Sequence, residues 1–360
     1  MGNCKSDDNP DKNGDLLAVG EGKGHPTPPP PTPEQIHTPI REHKDHLGMH
    51  RASAIIKVDS MPQLSEAMLR LMGRIEGDSN FGEFEKKPQY IELKKKQDSE
   101  AIELGPFLYP KELSFNGKAG TYKGFFKHGK REGYGKLIWD QNSMYQGFWK
   151  DDEASGFGRL FLGTGDFYEG EWKHNKANGK GVYVHSDGSK YEGEWKDDKQ
   201  EGKGKETWPD GSVYEGEYKN SLKNGKGKFN WPDGSWYEGE FLDNKIHGQG
   251  VYEWFDKRSY EGQWENNQMH GKGKFSWPAT NGLKRTYEGE FKHDLKDGKG
   301  KFTWEDGRVY DGEWSKGKQE GKGSFKDKNG KEYAGVWKHN YVYWDDKADN
   351  PTIRNTKVHK

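Results

Sequence analysis

The residues able to do chemistry fall into three sets. The first is terminal. Met1-Gly2-Asn3-Cys4-Lys5-Ser6 fits the N-myristoylation pattern, with Gly2 exposed once Met1 is removed and Ser6 at the favoured position. Cys4, the sole cysteine, stands beside it as a candidate for S-palmitoylation. One myristoyl chain holds a membrane only marginally and two acyl chains hold it stably. Asp7 and Asp8 give no basic second signal, so Cys4 would have to supply it. The second set is a register of charges: Glu169, Glu171, Glu192, Glu194, Glu215, Glu217, Glu238 and Glu240, against Lys180, Lys203, Lys205, Lys226, Lys228, Lys272, Lys274, Lys299 and Lys301. The third is 13 histidines without metal-ligand spacing. No Ser/His/Asp grouping or nucleophile elbow is present. An active site needs one asymmetric constellation, whereas these carboxylates recur in phase. The expectation is a protein that is not an enzyme and holds no metal and no cofactor.

The charges ride on a phrase of 23 residues, YEGEWKDDKQEGKGKETWPDGSV at 191–213, which begins again at Tyr214. Tyr-x-Gly-x-aromatic starts at Tyr122, Tyr145, Tyr168, Tyr191, Tyr214, Tyr237, Tyr260, Tyr287, Tyr310 and Tyr333, with one step of 27 between Tyr260 and Tyr287. Eleven residues after each of the first nine tyrosines comes Gly-x-Gly, as at Gly202/Gly204 and Gly225/Gly227. Side chains alternate faces along a strand. Tyr191, Gly193 and Trp195 then share one face and Glu192, Glu194 and Lys196 the other. Gly225, Gly227, Phe229 and Trp231 repeat that parity in the second strand. Glycines two apart are costly inside a helix, so the phrase reads as a β-hairpin. Trp208-Pro209-Asp210-Gly211 supplies one turn, and the polar run Lys196 to Glu201 the other.

A glycine leaves room for a neighbouring ring to lie on its backbone. The aromatics, 14% of the chain against 29% hydrophobic residues in all, are therefore expected to stack from hairpin to hairpin as a spine: Tyr168, Trp172, Tyr191, Trp195, Tyr214, Tyr218, Trp231, Tyr237, Trp277, Tyr310 and Trp314. Strands roughly 4.8 Å apart would make ten hairpins a ribbon on the order of 100 Å long. Glu206 breaks the pattern by sitting on the aromatic face, where an unpaired carboxylate costs stability. It reaches a lysine, reaches solvent at a groove edge, or marks a partner contact; parity does not choose. The charge rows read as cross-strand pairing that keeps a long ribbon soluble, with a lysine ladder for phosphoinositide headgroups as the other reading. Tyr122-Lys123-Gly124-Phe125-Phe126 and Tyr145-Gln146-Gly147-Phe148-Trp149 lack both glutamates, which suits hairpins covered by something else. Residues 106–117, with Phe107, Leu108, Tyr109 and Phe115, are the expected cover.

The phrase resembles the MORN repeat, over about 122–340. The resemblance implies an all-β fold, an extended single-layer antiparallel β-hairpin array used as a scaffold. Members occur in flagellar radial spokes, apicomplexan cytoskeletal rings, junctophilins and plant lipid kinases. Such arrays commonly homodimerise, and phospholipid binding has been proposed for them.

The remaining chain divides as follows. Residues 1–59 read as a disordered, acylated tail whose Pro26 to Pro33 stretch favours polyproline II. Residues 60–105 read as one short amphipathic helix, 60–76, capped by Ser60 and Gln63 with Leu64, Ala67, Met68, Leu71, Met72 and Ile75 on one face, followed by a charged tether over 83–105. Residues 106–345 form the repeat array, where Tyr343 and Trp344 cap the last hairpin, and 346–360 a free tail. A net charge of −1 offers no basic field for nucleic acid. No apolar run approaches a membrane span and no signal-peptide core opens the chain. The expectation is a scaffold or adaptor that holds protein partners, with a homodimer implied, on the cytoplasmic side of a membrane or at a cytoskeletal or ciliary structure, anchored through Gly2 and Cys4 and not secreted. A phosphoinositide-binding module or the regulatory subunit of a lipid kinase is the alternative.

Overall fold

The computed structural model describes residues 84–99, 108–115, 118–139, 143–279 and 284–343, with the short strands Leu17–Ala18 and Ile55–Lys57. The expected 60–76 helix and the acylation residues Gly2 and Cys4 lie outside the described residues. The fold is all-β, an open antiparallel array of hairpins with one α-helix among the described residues. It divides into two units, Ile36–Lys245 and a second that takes in Ile246–Lys360 with Met1–Gln35.

In the Ile36–Lys245 unit the repeat hairpin is seen well at Lys190–Lys196 and Lys199–Thr207. Tyr191 faces Glu206 and Gly193 faces Gly204 across the ladder. The connection expected over Lys196 to Glu201 is tighter than that. Only Asp197 and Asp198 turn, both in the left-handed region with φ of 49° and 68°, as a primed two-residue hairpin requires. Aspartate and asparagine tolerate that region better than most residues, and this position in the unit is held mainly by such residues. The second turn residue also ties the hairpin to the one before. Asp198 Oδ1 accepts from the Ala177 amide at 2.7 Å, and the Asp198 amide donates to the Ala177 carbonyl at 3.1 Å. The Trp208–Gly211 turn is as expected: Gly211 donates to the Trp208 carbonyl at 2.9 Å and takes a φ of 91°.

The ladder slips between Gly193 and Glu194, and the strand opposite bulges at Gly202, whose φ is 65°. The two glycines of Gly-x-Gly thus have different jobs. Gly202 makes the bulge. Gly204 makes room for a ring: a Cβ there would lie 2.5 Å from the Tyr191 ring. The tyrosines are fully buried, and each ring meets its neighbours edge-on rather than in parallel stacks. Tyr191 packs at 5.2 Å and 88° against Trp195 and at 5.1 Å and 85° against Tyr218. The polar tips are satisfied on the backbone. Tyr191 Oη donates to the Glu194 carbonyl at 3.0 Å, and Trp195 Nε1 to the Gly181 carbonyl at 3.2 Å. Burial raises the Tyr191 phenol well above its ordinary value.

The Ile246–Lys360 unit follows the same rules at Tyr260, Tyr287 and Tyr310, all buried. Its long connection follows Trp277, where one further rung, Trp277 against Arg285, extends the ladder. The chain's last described strand, Tyr341–Tyr343, pairs with Val336–Lys338, so Tyr343 completes a final hairpin. Trp344 lies outside the described residues.

Candidate functional site

One face of the hairpins is the aromatic spine; the opposite face carries the charges. On the middle hairpins that charged face is a set of cross-strand partners. Lys203 stands opposite Glu217 and Lys205 opposite Glu215, then Lys226 opposite Glu240 and Lys228 opposite Glu238. Lys228 Nζ reaches Glu238 at 3.0 Å. These groups are exposed, so each pair contributes about 0.2–1 kcal/mol at most. The last glutamate of Tyr-Glu-Gly-Glu has a second role that parity does not reveal. It lies over the bulge and accepts the amide between the two glycines. Glu171 Oε1 takes the Lys180 amide at 3.2 Å in this way.

The first two hairpins put Phe125 and Phe148 at that glutamate's position and Tyr134 and Phe157 between their glycines. Here the face is covered, but the cover described is not 106–117. Leu108–Phe115 is a strand paired with Lys118–Lys127. The covering residues come from the stretch expected to be a charged tether. It forms a 3-10 turn at Phe84–Lys86 and then helix α1, Pro88–Ser99. Pro88 is a natural first helical residue, since its missing N–H would have no partner there. Phe84 stacks on Phe157 at 5.3 Å and 9°. Tyr90 meets Tyr134 edge-on at 5.3 Å and packs against Phe148 at 5.7 Å. Leu93 lies against Gly156, in space a side chain there would occupy. Gln97 then supplies what Phe125 cannot. Its Oε1 accepts the Tyr134 amide at 3.0 Å, the same amide that Glu171 accepts two hairpins on.

Charge fixes the edge of the cover. Glu169 is buried between Arg159, at 2.5 Å, and Lys87 of the cover, at 3.3 Å. The Arg159 guanidinium also lies 4.7 Å over the Phe84 ring. Beyond Glu169 the face returns to exposed glutamates and lysines.

The aromatic spine residues are brought together as expected, but as core. Tyr168, Trp172, Tyr191, Trp195, Tyr214, Tyr218 and Tyr237 are buried, as are Trp277, Tyr310 and Trp314 in the other unit; Trp231 is half-buried. Glu206 is 1% exposed, so it is no surface contact point. Of its readings the lysine is the one realised. Lys223 Nζ and Tyr218 Oη both donate to Glu206 Oε2 at 2.9 Å. Burial lowers the Lys223 amine and the Glu206 charge opposes that shift. A connection spanning Lys196 to Glu201 would hide Lys223, because its column would then fall in the loop. With the two-residue turn, a column nine residues after each tyrosine runs Arg131, Ala154, Ala177, Gln200, Lys223, Ile246, Met269, Lys296 and Gln319. The lysines stand out in that column.

A repeated hairpin with a buried aromatic face and a paired charged face defines a repeat protein. The MORN repeat model matches nine tandem segments from 122–144 through 310–332, and the chain belongs to the MORN repeat family. The model's ninth segment ends before Tyr333, whose hairpin is the shortened tenth. MORN repeats are protein- or membrane-interaction modules. A search of curated proteins finds no match. Among solved structures, the chain is similar to the TCP10 domain of Danio rerio CPAP, at 12% identity and a TM-score of 0.30, over 64% of this chain and 96% of that one. It is also similar to the SAS-4 TCP domain of Drosophila melanogaster, solved with a proline-rich motif of Ana2, at 9% identity and a TM-score of 0.29, over 45% and 86%.

Proposed function

We propose that this chain is a non-catalytic scaffold that holds partner proteins on the cytoplasmic side of a membrane or at a membrane-linked cytoskeletal structure such as a cilium. The observation that supports it is the division of labour between the two faces. The aromatic face is closed on itself, with ring tips bonded to backbone carbonyls. The other face carries cross-strand charge pairs in each unit, Lys203 to Lys228 against Glu215 to Glu240 in one and Lys272 to Lys301 against Glu288, Glu290, Asp311 and Glu313 in the other. A ladder of mixed sign suits a protein surface better than an anionic headgroup, because most of its lysines already face a carboxylate. That weighs against the phosphoinositide reading. The Gly2 and Cys4 acylation pattern supplies the anchor in this reading, and a homodimer of arrays its assembly state.

The test separates anchor from array. Wild type, Gly2→Ala and Cys4→Ser are imaged in living cells. Both variants should become diffuse. Unchanged placement of both would remove the acyl anchor from the reading. Residues 84–345 joined to a fluorescent protein should stay diffuse and fail to sediment with phosphoinositide vesicles at low salt; sedimentation there would replace the scaffold by a lipid-binding module.

A further inference from the structure

Two lysines, buried Lys223 and half-buried Lys296, stand in the column that elsewhere holds Ala, Ile, Met, Gln or, at its start, Arg131. Lys223 has a carboxylate, Glu206, at 2.9 Å. Glu206 lies fifteen residues after its repeat tyrosine, Tyr191. The residue at that place before Lys296 is Phe275, fifteen after Tyr260. Lys296 therefore has the same kind of niche without the carboxylate. Its Nζ lies 4.6 Å from the Phe302 ring centroid, 4.7 Å from Trp314, 5.3 Å from Tyr287 and 5.6 Å from Trp277.

A second cation shares the Trp277 ring. The Arg285 guanidinium lies 4.7 Å over it, brought there by the extra rung that pairs Trp277 with Arg285. Arg285 Nε and Trp277 Nε1 are both buried and have no hydrogen-bond partner among the described residues. The Glu305 carboxylate acts on Arg285 from a distance but makes no bond to its Nε, and the place that Glu206 holds beside Lys223 is filled for Lys296 by the Phe275 ring. Native proteins seldom leave buried donors unmatched, and a cation out of water needs an opposite charge.

We propose that the niche bounded by Trp277, Arg285 and Lys296 is a binding site for the carboxylate of a ligand. The anion would do for Lys296 what Glu206 does for Lys223. Apolar walls of Trp277, Phe302 and Trp314 favour a carboxylate carried on a short alkyl or aryl group. Burial first, and the Arg285 charge second, lower the Lys296 amine to about 7, and a bound carboxylate would reverse that. This inference stands apart from the scaffold reading.

The experiment uses the full chain with 13C at the lysine ε carbons. The Lys296 signal is assigned by its loss in Lys296→Met. Its titration midpoint is followed in sodium propionate, sodium phosphate and sodium chloride at matched ionic strength. Propionate should raise the midpoint by about 1–3 pH units, the range an adjacent opposite charge gives, with little change in the other two salts. A midpoint that propionate leaves in place overturns the proposal, as does an equal shift in chloride or phosphate. A Phe275→Glu variant gives an independent reading. It supplies an internal carboxylate, so its Lys296 midpoint should be high from the start and indifferent to propionate. A Phe275→Glu midpoint that still follows propionate would also overturn the site.

Discussion

The first two hairpins and those from Tyr191 onward share one backbone and treat the same face in opposite ways. In the first two, Phe125 and Phe148 replace glutamate, and the face is closed by Phe84, Tyr90, Leu93 and Gln97. Around Tyr191 and Tyr214 the face is open, charged and paired strand to strand. The backbone problem is identical in both. A bulge leaves an amide facing outward, and something must accept it. The open hairpins solve it with their own Glu171-type side chain, and the first with a glutamine lent by a helix. A cover is thus built by replacing a few charges with rings and supplying their lost hydrogen bonds from elsewhere.

The comparison can be broken or sharpened in four ways. Phe148→Glu gives a covered hairpin the open pattern and sets a carboxylate beneath Tyr90. It should destabilise the covered state by about 3–5 kcal/mol and release α1, seen as loss of amide-exchange protection over 91–99; protection equal to wild type would mean that Phe148 does not hold the cover. Phe84→Ala removes the ring stacked on Phe157 and should cost about 3 kcal/mol, measured by denaturant titration, with trypsin cutting sooner at Lys94–Lys96. Gln97→Ala leaves the Tyr134 amide without an acceptor. Its cost should be about 1–2 kcal/mol, and a Gln97→Glu variant, which keeps the acceptor, should recover most of it. Lys228→Ala on the open face should change stability by less than about 0.5 kcal/mol, and a larger effect would show that the ladder does more than keep the surface paired.

Much of this organisation was legible in the sequence. The tyrosine period, the Gly-x-Gly parity and the Trp-Pro-Asp-Gly turns led directly to the hairpin array, because each imposes a backbone requirement that few residues meet. The missing glutamates at Phe125 and Phe148 pointed correctly to a covered face. The identity of the cover was not legible. Between Phe84 and Gln97 the contacts rest on only Phe84, Tyr90 and Leu93 among lysines and glutamates, a pattern too sparse to register as a helical stripe. The tight turn was hidden because Asp197-Asp198 carries no glycine although both residues take left-handed φ. A longer turn would put Gln200, Lys223 and Lys296 in a loop, whereas the two-residue turn lines them up in one inward-facing column. Glu206 was visible as an anomaly, but its partner lay in that column.

The Glu206–Lys223 pair crosses from the repeat that starts at Tyr191 to the one that starts at Tyr214. Arrays of identical modules lengthen or shorten by copying or losing whole modules, and most joints between these copies would survive such an event with their rings and turns in phase. This joint would not. Removing either copy, or inserting another between them, leaves a lone charge sealed among aromatics, at a penalty of several kcal/mol. Two of the modules are therefore keyed to each other, and a copy set between them would break the key.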